Sequence, residues 1–391
     1  MLLPSFLLFL VSTIIGATVG SIQQSDQCQN QPILFAATWT TDPTKGVYTY
    51  KFNSKDGSLT QWGVTPLSFA SGGINPTYLQ ESTSTLHNDK RLIYALNRAT
   101  GVGYVSALTL NANGTLDLLN SQQMRGGSPA HATLSPNEDF VAVSNYAGSL
   151  SLFPLNKDGT VAPESFYQAF PNGSRVVMDQ QATGHIHSTR WLPNSNHVVA
   201  VDLGGDNLLQ YELDTQAKTL NSLDTVVSTP GSGPRHSVLS ANGDYLYVSN
   251  EISNTVGVYK INQKEALLES PIIQNVTTLP SDFSNTSTVA DIHLSKNGKF
   301  VYVSNRGHNS IAMYAINKVD GTLTPLGWES TRGQTPRGFT VYDDYLIVAN
   351  QNSNDMYVFK VDENTGLLSY TGNSYQIPGA VCLYVSEHCL D

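Results

Sequence analysis

Five stretches of this 391-residue chain share one pattern, and they recur about every 50 residues. They are SPAHATLSPNEDFVAVSN from Ser128, GHIHSTRWLPNSNHVVAVD from Gly184, GSGPRHSVLSANGDYLYVSN from Gly231, VADIHLSKNGKFVYVSN from Val289 and TPRGFTVYDDYLIVAN from Thr335. Each copy predicts a short strand, a polar turn and an apolar-aromatic strand, followed by a third alternating strand and a less regular fourth. Four antiparallel strands at this period are typical of a β-propeller blade.

The two ends of the chain decide how many blades there are. Six first strands begin near Pro76, Pro129, His185, Pro234, Ala290 and Pro336. A seventh runs from Pro378 to Val385, and its missing partners lie between Gln31 and Val64. We therefore predict an all-β, seven-bladed β-propeller whose last blade is closed by N- and C-terminal strands, which leaves no exposed sheet edge. Two stacked β-sandwich domains would explain neither the period nor the divided last blade.

The first 20 residues are apolar, carry no charged side chain and end in small residues, which predicts a signal peptide followed by a single propeller domain over 21–391. A membrane anchor is the alternative, but the apolar run is short and no second run follows. Four Asn-x-Ser/Thr glycosylation sequons favour export: Asn113, Asn172, Asn275 and Asn285. We expect a secreted, extracellular glycoprotein.

The three cysteines lie near the two ends of the predicted mature chain. In an oxidising compartment Cys28 would form a disulfide with Cys382 or Cys389, and the sequence leaves the choice open. The formal net charge of −10 makes nucleic acid and anionic membranes unlikely partners by simple repulsion. An anion would need a local basic cluster.

Such a cluster follows from the hairpin in each repeat. If Asn242-Gly243 is the tip of one hairpin, Arg235 and Glu251 meet at its open end. Pairing residues at equal distances from the turn in the other repeats brings further polar residues to the open ends of their hairpins: His187 with Asp202, His131 with Asn145, Arg337 with Asn350, and Arg306. Because inner strands line the central channel of a propeller, we predict a ring of charged groups at one mouth of the channel.

Structural interpretations compete with this prediction. Arg235 and Glu251 alone could be an ion pair between strands, and Asp202 could shape a turn. We interpret His236 as a core histidine, because neighbouring residues of a strand point to opposite faces. We expect no metal site, since His185 and His187 lack a third histidine or cysteine ligand at suitable spacing, and we expect no cofactor.

The ordered set SPAHATLS, GHIHSTRW, DLGGD, GPRHSVLS, SNE, ADIHLS, SNR and TPRGF resembles the seven-bladed lactonase family. That family groups propeller-type 6-phosphogluconolactonases with fungal 3-carboxy-cis,cis-muconate lactonizing enzymes. The resemblance implies four catalytic residues, which by motif are His187, Arg235, Glu251 and Arg306. His131, Asp202 and Arg337 are our candidate substrate-binding residues.

The resemblance implies lactone chemistry on a small anionic lactone or carboxylate, by hydrolysis or by cyclisation. Arg235 and Arg306 would hold an anion or a developing oxyanion, and Glu251 or His187 would move the proton. The alternative is a non-catalytic, secreted ligand-binding or wall-associated propeller, because a fold alone does not confer activity. The sequence does not indicate an oligomeric state.

Overall fold

A computed structural model describes residues 31–40, 42, 44–66, 74–83, 91–99 and 101–386. The predicted signal peptide, Cys28 and Cys389 lie outside the described residues. Over the described ranges the chain forms seven antiparallel sheets and one short helix, α1 (Met178–Gln181). No helix in these ranges has the length and apolar character needed to cross a membrane.

The strands of the first half of the ring follow each other along the chain. They are β1 (Ile33–Thr38), β2 (Gly46–Asn53), β3 (Ser58–Pro66), β4 (Ile74–Glu81), β5 (Leu92–Ala99), β6 (Val102–Leu110), β7 (Leu116–Met124), β8 (Pro129–Leu134), β9 (Phe140–Asn145), β10 (Ser149–Pro154), β11 (Phe166–Ala169), β12 (Ile186–Trp191), β13 (His197–Asp202), β14 (Asn207–Asp214) and β15 (Thr219–Val227).

The second half continues in the same way and ends at Ser386. Its strands are β16 (Pro234–Leu239), β17 (Tyr245–Asn250), β18 (Thr255–Asn262), β19 (Leu267–Leu268), β20 (Gln274–Thr277), β21 (Thr288–Leu294), β22 (Phe300–Arg306), β23 (Ser310–Ile316), β24 (Leu323–Ser330), β25 (Pro336–Tyr342), β26 (Tyr345–Asn350), β27 (Asp355–Val361), β28 (Leu368–Gln376) and β29 (Ala380–Ser386).

The seven sheets close into a ring, as predicted. The innermost strands β4, β8, β12, β16, β21, β25 and β29 each contact the next, and β29 returns to β4. Strand β29 also pairs antiparallel with β1, so one blade has the order β29-β1-β2-β3 and joins both ends of the chain. We number the blades one to seven from the β4 blade to this terminal blade.

The core consists of seven apolar clusters, each formed between the facing sheets of two neighbouring blades. Second strands such as β9 (FVAVSN) and β26 (YLIVAN) are buried throughout, because a blade is covered on both faces. Burying both faces of each sheet gives the ring its hydrophobic stabilisation, and leaves the central channel to be lined by the innermost strands.

Every innermost strand contains a register shift in its pairing with the second strand of its blade. In blade four, for example, Pro234 pairs with Asn250 and His236 with Ser249, so Arg235 has no partner residue of its own. A β-bulge of this kind bends the strand and redirects side chains. The bulges therefore determine which residues face the channel.

Candidate functional site

All seven blades line one cavity of about 240 Å³ at the centre of the ring. Two positions of the blade supply most of its wall. The first position is the bulge of the innermost strand, occupied by Thr77, Ala130, His187, Arg235, Asp291, Arg337 and Val381. The second position belongs to the second strand of the blade or directly follows it. It comes immediately after the Asn or Thr that pairs with the innermost strand next to the bulge. Its occupants are Trp39, Arg98, Tyr146, Glu251 and Arg306. A cavity this small suits a small metabolite, because pockets for drug-sized ligands occupy roughly 300–1,000 Å³.

A carboxylate between two guanidinium groups forms one side of the cavity. Glu251 Oε2 lies 2.8 Å from Nε of Arg235, and its Oε1 lies 2.9 Å from Nη2 of Arg306. Each arginine also donates to a backbone carbonyl: Arg235 Nη1 to Ala290 O at 2.8 Å and Arg306 Nη2 to Val289 O at 2.9 Å. These contacts fix both guanidinium groups, because the accepting carbonyls belong to the rigid inner strand β21.

The same arrangement sets the charge of the carboxylate. Burial alone would raise the pKa of Glu251, but the charges of Arg306 and Arg235 outweigh it and hold this pKa below its usual value. Burial and the neighbouring Arg306 lower the pKa of Arg235 to about 10. Glu251 and Arg235 are therefore both ionised near neutral pH.

His187, at the bulge of blade three, lines the cavity together with Glu251, Arg235 and Arg306. Its ring packs edge-on against Tyr146 at 5.7 Å and against His236 at 5.0 Å between centroids. Burial, together with the charge of Arg235, lowers the pKa of His187 well below its ordinary value. A neutral imidazole on the cavity wall is able to accept a proton.

His236 also lines the cavity, so its interpretation as a core histidine was wrong. The bulge at Arg235 breaks the strict alternation of the strand, and both neighbouring side chains reach the cavity. His236 Nδ1 lies 2.8 Å from Oδ1 of Asp291, whose Oδ2 lies 3.2 Å from Nε2 of His293. The carboxylate of Asp291 orients the His236 ring, because an ionised carboxylate only accepts hydrogen bonds and so requires the proton on Nδ1.

Two further arginines face the cavity around a tryptophan. The guanidinium groups of Arg98 and Arg337 lie 5.2 and 5.6 Å from the ring of Trp39, within the range of cation–π contacts. The strand of Arg337 approaches the terminal blade closely: a Cβ on Gly338 would lie 2.6 Å from the Val381 carbonyl oxygen. The side chain of Arg98 comes from blade one, on the other side of Trp39.

Asp202 does not reach the cavity, in contrast to our expectation. Its Oδ1 accepts hydrogen bonds from the backbone N–H groups of His185 at 2.7 Å and Gly205 at 3.0 Å. The register pairs Asp202 with Ile186. The hairpin argument had placed Asp202 opposite His187, but the bulge at His187 shifts the pairing and separates these two side chains. Asp202 therefore shapes a turn, the structural alternative considered for it.

His131 lies beside the cavity wall without being part of the lining. The backbone N–H of Thr189 donates to its Nδ1 at 3.4 Å, and its ring packs against Tyr78 at 4.3 Å. In blade two the bulge residue is Ala130, so the cavity receives a methyl group where blade four presents Arg235. His131 supports Tyr78 and His236, which do line the cavity.

Cys382 is a buried free thiol among the described residues and lines the cavity. Burial raises its pKa to about 12, so it is a thiol rather than a thiolate. Its predicted partner Cys28, and Cys389, the alternative partner of Cys28, lie outside the described residues. No group of three or more His, Cys, Asp or Glu side chains in the described ranges is arranged to hold a metal ion.

Sequence reasoning missed Trp39, Arg98 and Tyr146. A signal for them was present, because each comes directly after a Thr or Asn near the end of a second strand, the position that Glu251 and Arg306 occupy in their own blades. Trp39 and Arg98 belong to the blades whose repeats are weakest in sequence. Alignment of the weak repeats on the strong ones would have identified all three.

Known proteins are similar to this chain along almost its whole length. Residues 33–385 match the family model described as Lactonase, 7-bladed beta-propeller. The 6-phosphogluconolactonase of Bacillus subtilis is 32% identical over 89% of this chain and 97% of its own, and that of Formosa agariphila is 33% identical over 90% and 98%. The crystal structure of the Pseudomonas aeruginosa periplasmic gluconolactonase superposes with a TM-score of 0.83 at 27% identity, over 90% of this chain and 98% of that one.

Proposed function

Because this chain belongs to the seven-bladed β-propeller lactonase family, we propose that it hydrolyses a small lactone in the central cavity. The observation that carries this proposal is Glu251 held between Arg235 and Arg306 on the cavity wall, with the neutral ring of His187 beside them. Together these residues provide donors for a developing oxyanion and an acceptor for a proton. Hydrolysis of a lactone needs both.

The arginines stabilise the oxyanion. Arg235 Nη2, Arg306 Nη1 and Arg306 Nε donate to no described residue, whereas the remaining nitrogens of the two groups contact Glu251 or backbone carbonyls. When water adds to the lactone carbonyl carbon, the carbonyl oxygen becomes negatively charged, and these free donors stabilise it. Preorganised donors cost no rearrangement during the reaction, since Glu251 and β21 already hold both groups in place.

His187 takes the proton from the attacking water. We assign this role to His187 because both carboxylate oxygens of Glu251 already contact guanidinium groups, whereas the buried Nδ1 of His187 has no hydrogen-bond partner among the described residues. The tetrahedral intermediate then breaks its bond to the ring oxygen, which receives the proton back from His187. One lactone and one water become one hydroxy acid, and no covalent enzyme intermediate forms.

The names of the relatives favour a sugar lactone as substrate. Two relatives above 30% identity are named 6-phosphogluconolactonases, and the periplasmic structural neighbour is named a gluconolactonase. The same residues could instead run a lactone-forming cycloisomerisation, in which a substrate carboxylate adds across a double bond and a carbon is protonated. The non-enzymatic alternative is a propeller that binds such ligands without turnover.

A panel assay separates these functions. The purified protein is incubated with 6-phosphoglucono-δ-lactone, glucono-δ-lactone and a carboxylated cis,cis-muconate, and acid release or absorbance is followed above the spontaneous rate. We expect ring opening of a sugar lactone that falls at least 100-fold in Arg235→Ala, a loss of the size seen when an oxyanion donor is removed. Turnover of the muconate alone would reassign the protein to cyclisation, and binding without turnover would make it a receptor.

We also propose that the protein is exported. All four sequon asparagines, Asn113, Asn172, Asn275 and Asn285, are exposed on the folded propeller, as glycosylated asparagines must be. Expression of the full chain in a eukaryotic secretory host tests this. We expect the protein in the medium, with an apparent mass that falls on enzymatic deglycosylation; retention inside the cell at the unglycosylated mass would contradict export.

A further inference from the structure

We propose that His236 is a further catalytic residue, which together with His187 holds the water molecule that attacks the lactone. Asp291 is the positioning residue that makes His236 an acceptor for this water. The inference rests on the proposed lactonase function and deepens it, because it assigns the place and the orientation of the second reactant. Neither His236 nor Asp291 is among the four catalytic residues that the family resemblance implied.

The first argument is a pair of nitrogens without partners. Nδ1 of His187 and Nε2 of His236 are both buried, and neither has a hydrogen-bond partner among the described residues. Both side chains line the cavity, and their ring centroids lie 5.0 Å apart. One water molecule is able to reach both rings, because two hydrogen bonds of about 2.8 Å together span more than this distance. Buried water is typically found between polar groups that the protein leaves unsatisfied.

The second argument is the tautomer of His236. Its Nδ1 lies 2.8 Å from Oδ1 of Asp291, so the ring proton is on Nδ1 and Nε2 carries a lone pair. Asp291 itself is fixed, since its Oδ1 also accepts from the backbone N–H of Ile292 at 3.0 Å and its Oδ2 lies 3.2 Å from Nε2 of His293. Burial and the charge of Arg235 lower the pKa of His236 to about 4, so the ring is neutral near pH 7. Nε2 of His236 is therefore an acceptor and not a donor.

The third argument is the orientation that two acceptors impose. A water that donates one hydrogen to His187 and the other to His236 keeps both lone pairs free, and these point away from the wall into the cavity. Arg235 precedes His236 in the same strand and lines the same cavity. A lactone whose carbonyl oxygen is bound by Arg235 therefore brings its carbonyl carbon close to this water, and a reactant held in this way reacts faster.

The protons balance in this arrangement. As the water oxygen bonds to the carbonyl carbon, His187 takes one proton, while His236 keeps its hydrogen bond to the other. The bond from the carbonyl carbon to the ring oxygen then breaks, and the ring oxygen receives the proton from His187. One water and one lactone give one hydroxy acid, and His236 ends in the protonation state in which it began.

The test removes the acceptor and keeps a ring. In His236→Phe we expect kcat for a lactone that the wild type opens to fall about 100-fold or more while KM changes less than about 3-fold, because positioning of the water acts on the chemical step. His236→Gln, whose amide oxygen is able to accept in place of Nε2, should recover about 10-fold of that loss. His293→Phe is the matched control and should keep the wild-type kcat, because His293 contacts the same carboxylate of Asp291 but lies outside the cavity wall.

A second measurement separates positioning by Asp291 from a structural role. Asp291→Ala should lower kcat about 10-fold or more in the wild-type background, because the ring proton of His236 is then free to move to Nε2. In a His236→Phe background the same substitution should lower kcat less than about 2-fold further, since Asp291 acts through His236. Nitrogen NMR of the histidine side chains reads the tautomer directly. We expect the proton of His236 on Nδ1 in the wild type and increased protonation of Nε2 in Asp291→Ala.

The outcomes distinguish this inference from the lactonase proposal. If the wild type opens a lactone and a folded His236→Phe variant keeps its kcat, the inference is overturned and the lactonase proposal stands. If the wild type opens no lactone, the lactonase proposal fails and the inference fails with it. If His236→Phe does not fold, Asp291→Ala and the NMR spectrum provide the test. An unprotonated Nδ1 on His236 in the wild type, or equal losses from Asp291→Ala in both backgrounds, would contradict the role of Asp291.

Discussion

Two groups of side chains on the cavity wall are built alike and differ in their centre. Glu251 lies between Arg235 and Arg306, and Trp39 lies between Arg337 and Arg98. Arg235 and Arg337 occupy the bulge of their innermost strands, while Arg306 and Arg98 lie at the ends of second strands. Glu251 and Trp39 themselves occupy equivalent positions of blades four and seven.

The difference shows how one fold position produces two kinds of site. Around Glu251 one carboxylate offsets one of the two guanidinium charges and contacts both groups, so they are held in place and keep spare donors for a transient oxyanion. Around Trp39 the charges are unbalanced, because an indole ring attracts cations without neutralising them. The first group is suited to a charge that develops during a reaction, and the second to a charge that arrives with the substrate.

Removal of the carboxylate should have the largest effect. In Glu251→Gln the size of the side chain is kept, but two buried guanidinium groups lose their shared counter-charge. We expect kcat/KM for any lactone substrate to fall about 100-fold or more, as when an oxyanion donor is misplaced. The free energy of unfolding should fall by about 3–5 kcal/mol, as when a buried pair is broken. Steady-state kinetics and urea denaturation measure the two.

The control for this variant is an exposed ion pair. Lys260 Nζ lies 3.2 Å from Glu269 Oε2, with 53% and 39% of the two side chains exposed. Glu269→Gln should change the free energy of unfolding by less than about 1 kcal/mol, because water screens such pairs. If Glu251→Gln were no more damaging than Glu269→Gln, the central role of Glu251 in this group would be refuted.

The contribution of Glu251 to stability should also depend on pH. The folded-state pKa of Glu251 is held below its usual value, so the stability it adds is fully present above the unfolded-state pKa of about 4.3 and is lost as pH falls through the lower folded value. The difference in unfolding free energy between wild type and Glu251→Gln should therefore be constant from pH 7 to pH 5 and shrink below pH 4. Urea denaturation across this range measures it; a difference that persisted at acid pH would have another origin than charge.

Conversion of the second group into a copy of the first should give a smaller, selective effect. In Trp39→Glu a carboxylate would neutralise one of the two unpaired charges, so we expect kcat/KM for 6-phosphoglucono-δ-lactone to fall about 10-fold or more relative to glucono-δ-lactone. Trp39→Phe, which keeps a weaker aromatic ring, should change this ratio only a few-fold, because an exposed or half-buried cation–π contact contributes about 0.5–1 kcal/mol. If both variants kept the wild-type ratio, neither the indole ring nor the charge balance would affect the choice between the two lactones.

The repeats allowed most of the fold to be predicted. The seven first strands expected from the sequence begin within two residues of where β4, β8, β12, β16, β21, β25 and β29 begin, and the terminal blade is closed as expected. Periodic patterns succeed here because every blade repeats the same local alternation and turn chemistry. The hairpin argument also brought Arg235 and Glu251 to the same end of one blade.

The bulges were not visible in the sequence. A strand that alternates without interruption would place Arg235 and His236 on opposite faces, yet both line the cavity, and the same argument misplaced Asp202. A bulge leaves no fixed signature in residue type, because it depends on how the neighbouring strand is paired.

The sequence by itself determined the blade count, the closure of the ring and the residue types available at each repeat, since these follow from local pattern. Only the tertiary structure decided which arginines share a carboxylate and which share a tryptophan. Those partners come from different blades, more than 200 residues apart for Trp39 and Arg337, and meet because the ring closes. Charge balance in the cavity is therefore a property of blade order and strand register, which no single repeat contains.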